Sequence, residues 1–143
     1  MTAKGVETGV LGAVTVVLFA TLVGCGPARD KNLPPTAPAS GTVMYNGEPV
    51  RGGTVTFHPK GIGNPGVGWL DESGRFAVAT YYDNDGAVVG EHAVTIDMPP
   101  PLDGVDPKDV FKVPAPYTDP ESTRLIVEVP EKGVKDFEFV LED

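Results

Sequence analysis

His58, His92 and the single cysteine, Cys25, are the side chains in this 143-residue chain best suited to nucleophilic or acid–base chemistry near neutral pH. A serine- or cysteine-type hydrolase needs a nucleophile, a base and a third group that orients the base. Two histidines 34 positions apart and one cysteine near the N-terminus do not assemble that set. A zinc site needs three or four converging His, Cys or carboxylate ligands, which two separate histidines do not signal. By alternation His58 points with Thr54 and Thr56 toward solvent, while His92 shares a face with Val94 and Ile96 and is expected at the edge of a core. Asp83-Asn84-Asp85-Gly86 resembles the acidic loops that bind calcium, but lacks the spaced oxygen ligands and following glutamate of an EF-hand, so a turn is expected. Trp69, Tyr81 and Tyr82 could bind without reacting: exposed on one face they would stack on sugar rings, and buried they would simply pack a core or hairpin. Pro99-Pro100-Pro101 fits either a polyproline ligand or a plain loop. No catalytic activity, cofactor or metal is expected.

The cysteine has a different context. An apolar run of about 14 residues, Val10 to Val23, follows Lys4 and is short of the roughly 20 needed to span a bilayer as a helix. Its length suits the hydrophobic region of a signal peptide. It ends in Leu22-Val23-Gly24-Cys25, which resembles the lipobox of bacterial lipoprotein precursors. The resemblance implies cleavage between Gly24 and Cys25, with diacylglycerol on the sulfur and a further fatty acyl chain such as palmitate on the new amine. Two or three chains anchor far more firmly than one. An uncleaved anchor helix, a chance cysteine and ordinary secretory cleavage at Ala37-Pro38-Ala39 are the competing readings; the last lies far from the apolar run. Gly26 rather than aspartate after the cysteine favours the outer membrane over the inner, within an expected location at the bacterial cell envelope, lipid-anchored and periplasmic or outer-membrane.

Removing residues 1–24 leaves roughly 120 residues, room for one domain. It also removes one Lys and one Glu, so the formal charge stays at −9. Such a surface repels phosphate backbones, and nucleic acid is excluded as a partner. With Cys25 as the sole cysteine, no internal disulfide is available despite export. Residues 25–40 carry Pro27, Pro34, Pro35 and Pro38 without apolar periodicity, and are expected to form an extended linker of about 15 residues, reaching up to roughly 45 Å.

The elements that would position any site are strands. From Gly41 onward apolar residues alternate with period two, and seven strands are expected: 42–45, 53–58, 66–70, 75–80, 91–97, 125–129 and 135–141. Val55, Phe57, Phe76, Val78, Val94, Ile96 and the 125/127/129 and 137/139/141 triplets supply inward positions, which makes a two-sheet sandwich the natural solution. Asn46-Gly47 and Asp71-Glu72-Ser73-Gly74 are tight-turn signals. The proline-rich stretch 98–123 is expected to be a surface crossover with at most a short strand near Phe111 to Val113.

Residues 41–143 resemble the carboxypeptidase regulatory-like domains of the transthyretin-like fold, found as short bacterial lipoproteins. The resemblance is carried by Gly41-Thr42-Val43, Asn46-Gly47-Glu48-Pro49-Val50, Gly53 to Pro59, Asp71 to Phe76, Asp85-Gly86-Ala87, Pro114-Ala115-Pro116-Tyr117, Ser122 to Leu125 and Phe137-Glu138-Phe139. It departs at His92, where the family usually has tyrosine, and at Pro116, where a basic residue often precedes the tyrosine. It implies a seven-stranded Greek-key-type β-sandwich that is accessory or structural. A purine-pathway hydrolase of the same fold is set aside, because its histidine motifs and characteristic C-terminus are missing from a chain that ends Val140-Leu141-Glu142-Asp143. The expected molecule is a monomeric, non-catalytic lipoprotein, held to the membrane through Cys25, with a structural or protein-interaction role toward an envelope protein or glycan; a glycan- or peptide-binding module at the cell surface is the alternative.

Overall fold

The computed structural model describes residues 28–106, 108 and 110–143; the signal segment, Gly24 and Cys25 lie outside them. Among the described residues ten strands run in the order β1 (Thr36–Ala37), β2 (Ala39–Tyr45), β3 (Glu48–Pro49), β4 (Thr54–Pro59), β5 (Gly66–Trp69), β6 (Arg75–Ala77), β7 (Ala87–Val88), β8 (Gly90–Asp97), β9 (Ile126–Val129) and β10 (Val134–Leu141). A 3₁₀ turn at Ala115–Tyr117 is the helical element among the described residues, so the fold is all-β. None of these elements is long and apolar enough to cross a membrane as a helix.

Two four-stranded sheets carry the architecture. In one, β10 runs parallel to β2, whose other edge holds β6 along its first half and β3 at its end. The second is the antiparallel ladder β5-β4-β8-β9. The alternation read from the sequence places Val43, Phe76, Phe139 and Leu141 of the first sheet against Val55, Phe57, Val94, Ile96 and Val129 of the second, all buried. Phe57 is the hub, with ring centroids 6.0 Å from Phe76, 5.6 Å from Phe137 and 6.2 Å from Phe139. Two sheets sharing one apolar layer are compatible with a β-sandwich.

Close approach explains one glycine. A Cβ on Gly41 would run into the backbone and Cβ of Phe137, where a register irregularity between Val134 and Phe137 brings β10 tight against β2. The expected turns form: Asn46 and Gly47 take φ of 49° and 80°, and Asp71 Oδ1 accepts from the backbone N–H of Ser73 and Arg75. No strand forms at Phe111 to Val113; instead Phe111 packs on Tyr45, centroids 4.9 Å apart.

The linker expectation needs correction for its second half. Thr36 and Ala37 pair with Val88 and Ala87, Val89 N donates to Pro35 O at 2.9 Å, and β2 already begins at Ala39. Ala37 is only 1% exposed. Proline spacing hides this because Ala37 and Ala39 flank Pro38, whose missing N–H leaves an edge pairing intact. The chain therefore joins the fold from Thr36, and the stretch with no strand pairing is shorter than a 25–40 linker.

The molecule has two distinct ends. Strands β4 and β8 place Pro59 opposite His92 at one end and Thr54 opposite Asp97 at the other, and the six residues of β4 span roughly 17 Å. The first end holds the 60–65 loop, the 81–86 turn and the incoming chain. The other holds the 46–51 and 70–74 turns, residues 98–106 and 110–113 of the crossover, and the C-terminus.

Candidate functional site

The groups with chemical potential are placed by the sheet they sit on, and the sheet separates them. His58 lies on the outer face of β4, half-buried, its Nε2 3.0 Å from Thr95 Oγ1. Burial lowers its pKa from the ordinary 6.5, with Asp97 opposing and His92 adding to the shift. His92 lies on the inner face of β8 and is 0% exposed, so it is a full core residue rather than an edge one. Its Nε2–H donates to the Val88 carbonyl at 2.6 Å, its ring meets Phe57 edge-on at 5.6 Å, and its Nδ1 has no partner. Residues on opposite faces of one sheet cannot share a proton relay.

Asp85 settles the acidic loop's geometry. Its Oδ1 accepts from Thr80 N at 2.7 Å and its Oδ2 from Tyr81 N and Tyr82 N at 3.0 and 3.2 Å, while Thr80 Oγ1 donates to Gly86 O. Both carboxylate oxygens are thus committed to backbone donors. Among the described residues no group of three or more His, Cys, Asp and Glu converges in a way that could hold a metal ion.

The three aromatic residues are not brought together as one platform. Trp69, 73% exposed, stands opposite Thr54 at the far end of β5. Tyr81 and Tyr82 lie beyond the near end: with Val67 bridged to Ala79, Tyr81 falls about four residues, or 13 Å, from Trp69. Their hydroxyls are occupied, accepting from Asn64 N and Asp30 N at 3.1 and 3.2 Å. Trp69 instead shares its face with Val67, Thr54, Thr56 and Ile126.

Two grooves at that same far end went unread in the sequence. One, of about 310 Å³, is lined by Tyr45, Glu48, Pro49, Val50, Arg51 and Phe111. The second, of about 320 Å³, runs between Met98, the three prolines that follow, and Val110, Phe111 and Val113. Phe111 forms the wall between them. Their size is at the lower bound of small-ligand sites and suits a short peptide segment or a side chain. Tyr45 is fixed there because its hydroxyl donates to Asp143 Oδ1 at 2.7 Å, which raises its pKa above 10.0 by stabilising the protonated phenol. Nearby, Leu102 and Val105 are exposed. The signal that could have found this surface is the apolar Val110-Phe111-Lys112-Val113 run, together with Leu102 and Val105, inside a crossover rich in polar and proline residues.

Comparison with protein-family models, with curated proteins and with solved structures finds no match.

Proposed function

We propose that the chain is a membrane-tethered, non-catalytic lipoprotein of the bacterial cell envelope, whose domain, with the two-residue strands β1, β3 and β7 set aside, is a seven-stranded Greek-key sandwich of the carboxypeptidase regulatory-like kind acting in protein interaction. The observation that carries the tether is Cys25, the sole cysteine, set directly behind an apolar run too short to span and preceded by Leu22-Val23-Gly24. A non-catalytic role is supported by the commitments of the reactive groups: His92 to the Val88 carbonyl inside the core, Asp85 to three backbone amides. An interaction role is supported by the open apolar surface around Phe111 at the end away from the incoming chain.

The test begins with palmitate labelling of cells making the full chain or its Cys25→Ala variant. Label on the first and not the second is expected; an unlabelled wild type overturns the lipoprotein reading. Crosslinking on intact cells, comparing wild type with Phe111→Ser, then tests the interaction. A crosslinked envelope protein lost in the variant is expected, and an unchanged crosslinking pattern overturns the use of this surface. Trp69, exposed beside a threonine-rich face, favours glycan binding as a second reading. Quenching of its fluorescence by soluble peptidoglycan or polysaccharide fragments checks that reading, and an invariant spectrum removes it.

A further inference from the structure

We infer that the end of the domain built from the 60–65 loop, the 81–86 turn and residues 30–37 faces the lipid surface, with Ile62 as its contact with the bilayer. This rests on the reading of Cys25 as the lipid-bearing residue and adds to it an orientation and a second point of attachment.

The length of free chain carries the argument. Asp30 N donates to Tyr82 Oη at 3.2 Å, Asn32 N donates to Asp30 Oδ1 at 2.9 Å, and Pro35 through Ala37 are paired along residues 87–89. The chain is thus attached to the fold from Asp30 onward. Only residues 26–29 separate that point from Cys25, and a fully extended chain covers at most about 18 Å from Cys25 to Asp30. A leash of 45 Å is not available, and the attachment point must lie near the headgroups.

The neighbouring loop is joined to the same point. Tyr81, next to Tyr82, accepts through its hydroxyl from Asn64 N at 3.1 Å, and Gly63 backs closely onto Val88 and Tyr81. That seats the 60–65 loop beside the incoming chain and leaves Ile62 at its crown, 89% exposed. A single aliphatic side chain binds a membrane weakly from solution. Tethered within a few nanometres of it, the same side chain acts at a high effective concentration.

Charge favours the same orientation. At this end, which also holds the 130–133 turn against Pro38, Arg29, Lys31, Lys60 and Lys132 face Asp30, Asp83, Asp85, Glu91, Glu128 and Glu131, a surplus of two acids, and Lys60 pairs with Glu91 at 2.7 Å. The larger acidic surplus lies at the opposite end, where Glu48, Asp71, Glu72, Asp97, Asp103, Asp106, Glu142 and Asp143 outnumber Arg51, Arg75, Lys108 and Lys112 by four. Anionic headgroups therefore repel the far end more strongly than the near end. The surface around Phe111 and Trp69 then points away from the lipid, toward soluble or cell-wall partners.

The test uses the full chain, purified from membranes and reconstituted in vesicles of phosphatidylethanolamine and phosphatidylglycerol. Ile62→Cys or Leu102→Cys carries an environment-sensitive fluorophore, and lipids spin-labelled near the headgroup act as quencher; both positions are exposed, so neither substitution threatens folding. The expected result is a blue-shifted emission at position 62 and quenching about threefold or more above that at position 102. The mass of the N-terminal peptide from the same sample reports lipid on Cys25. Lipid on Cys25 with equal quenching at the two positions, or with stronger quenching at 102, overturns the orientation and leaves the anchor standing. An N-terminal peptide without lipid overturns the anchor, and the orientation falls with it.

Discussion

Replacing Asp85 with alanine removes a carboxylate that is 8% exposed and accepts from three successive backbone N–H groups, those of Thr80, Tyr81 and Tyr82. Hydrogen bonds to a charged acceptor contribute more than the roughly 1 kcal/mol of a neutral pair, but three bonds to one group are not additive. The bond from Thr80 N is the shortest of the three, at 2.7 Å, and has the most to lose on truncation. A loss of about 3 kcal/mol is therefore expected for Asp85→Ala. Asp85→Asn retains one acceptor oxygen and turns an amide NH₂ toward the remaining N–H donors, so about 2 kcal/mol is expected there. Urea unfolding of the domain, followed by tryptophan fluorescence, reads these as midpoint shifts; with a slope near 1.5 kcal/mol per molar, the alanine variant should move by about 2 M. A loss below about 1 kcal/mol for Asp85→Ala would refute the claim that this carboxylate holds the turn. So would a rise in the wild-type midpoint on adding calcium, because both oxygens are already committed to the backbone.

Gly86 takes φ of 86° and a Cβ there would collide with the Ala37 carbonyl, so Gly86→Ala should cost at least the 1 to 2 kcal/mol of a left-handed alanine, about 3 in total, and lift Thr36–Ala37 off β7. Faster amide exchange at residues 36–39, with protection in β4 and β8 retained, is the measurement, and unchanged exchange at 36–39 would refute the docking of the incoming chain. His58 is held below its ordinary 6.5, first by burial, so the unfolded chain binds more protons than the folded one at mildly acid pH. Its contribution to stability should be complete above about pH 6.5 and lost as pH falls toward the lowered folded value. Wild type should accordingly lose more stability than His58→Gln between about pH 7.5 and 5, and parallel profiles would refute the assignment. Tyr117, buried, accepts from Glu142 N at 3.2 Å; Tyr117→Phe should cost about 1 kcal/mol in the same urea assay and free the C-terminal residues to exchange faster.

Most of the longer strands were legible because they have one wet and one dry face, β8 excepted, which is buried on both faces from His92 to Ile96. The 137/139/141 triplet is half-buried at Phe137 and buried at Phe139 and Leu141, with Glu138 and Val140 outward, as period-two alternation requires. The turns were legible for a conformational reason, since Asn46-Gly47 and Gly74 supply the positive φ that tight reversals need. The incoming chain was not legible, because Thr36 and Ala37 form a two-residue pairing too short for any periodicity, and Pro38 reads as a linker signal. His92 was read correctly as facing inward, but its depth depends on Phe57 and Val88, which arrive from other strands.

The chain's own order of residues determined the apolar run ending at Cys25, the acidic charge, the strand faces and the tight turns, all of which follow from neighbours a few positions apart. Tertiary structure decided everything that needed residues distant in sequence to meet. Tyr81 and Tyr82 became struts holding Asn64 and Asp30 instead of a stacking surface, and Phe111 of the crossover met Tyr45 to make the grooves. The physical reason is that alternation tells a side chain which face it occupies, while the register and packing of the two sheets determine what it touches there.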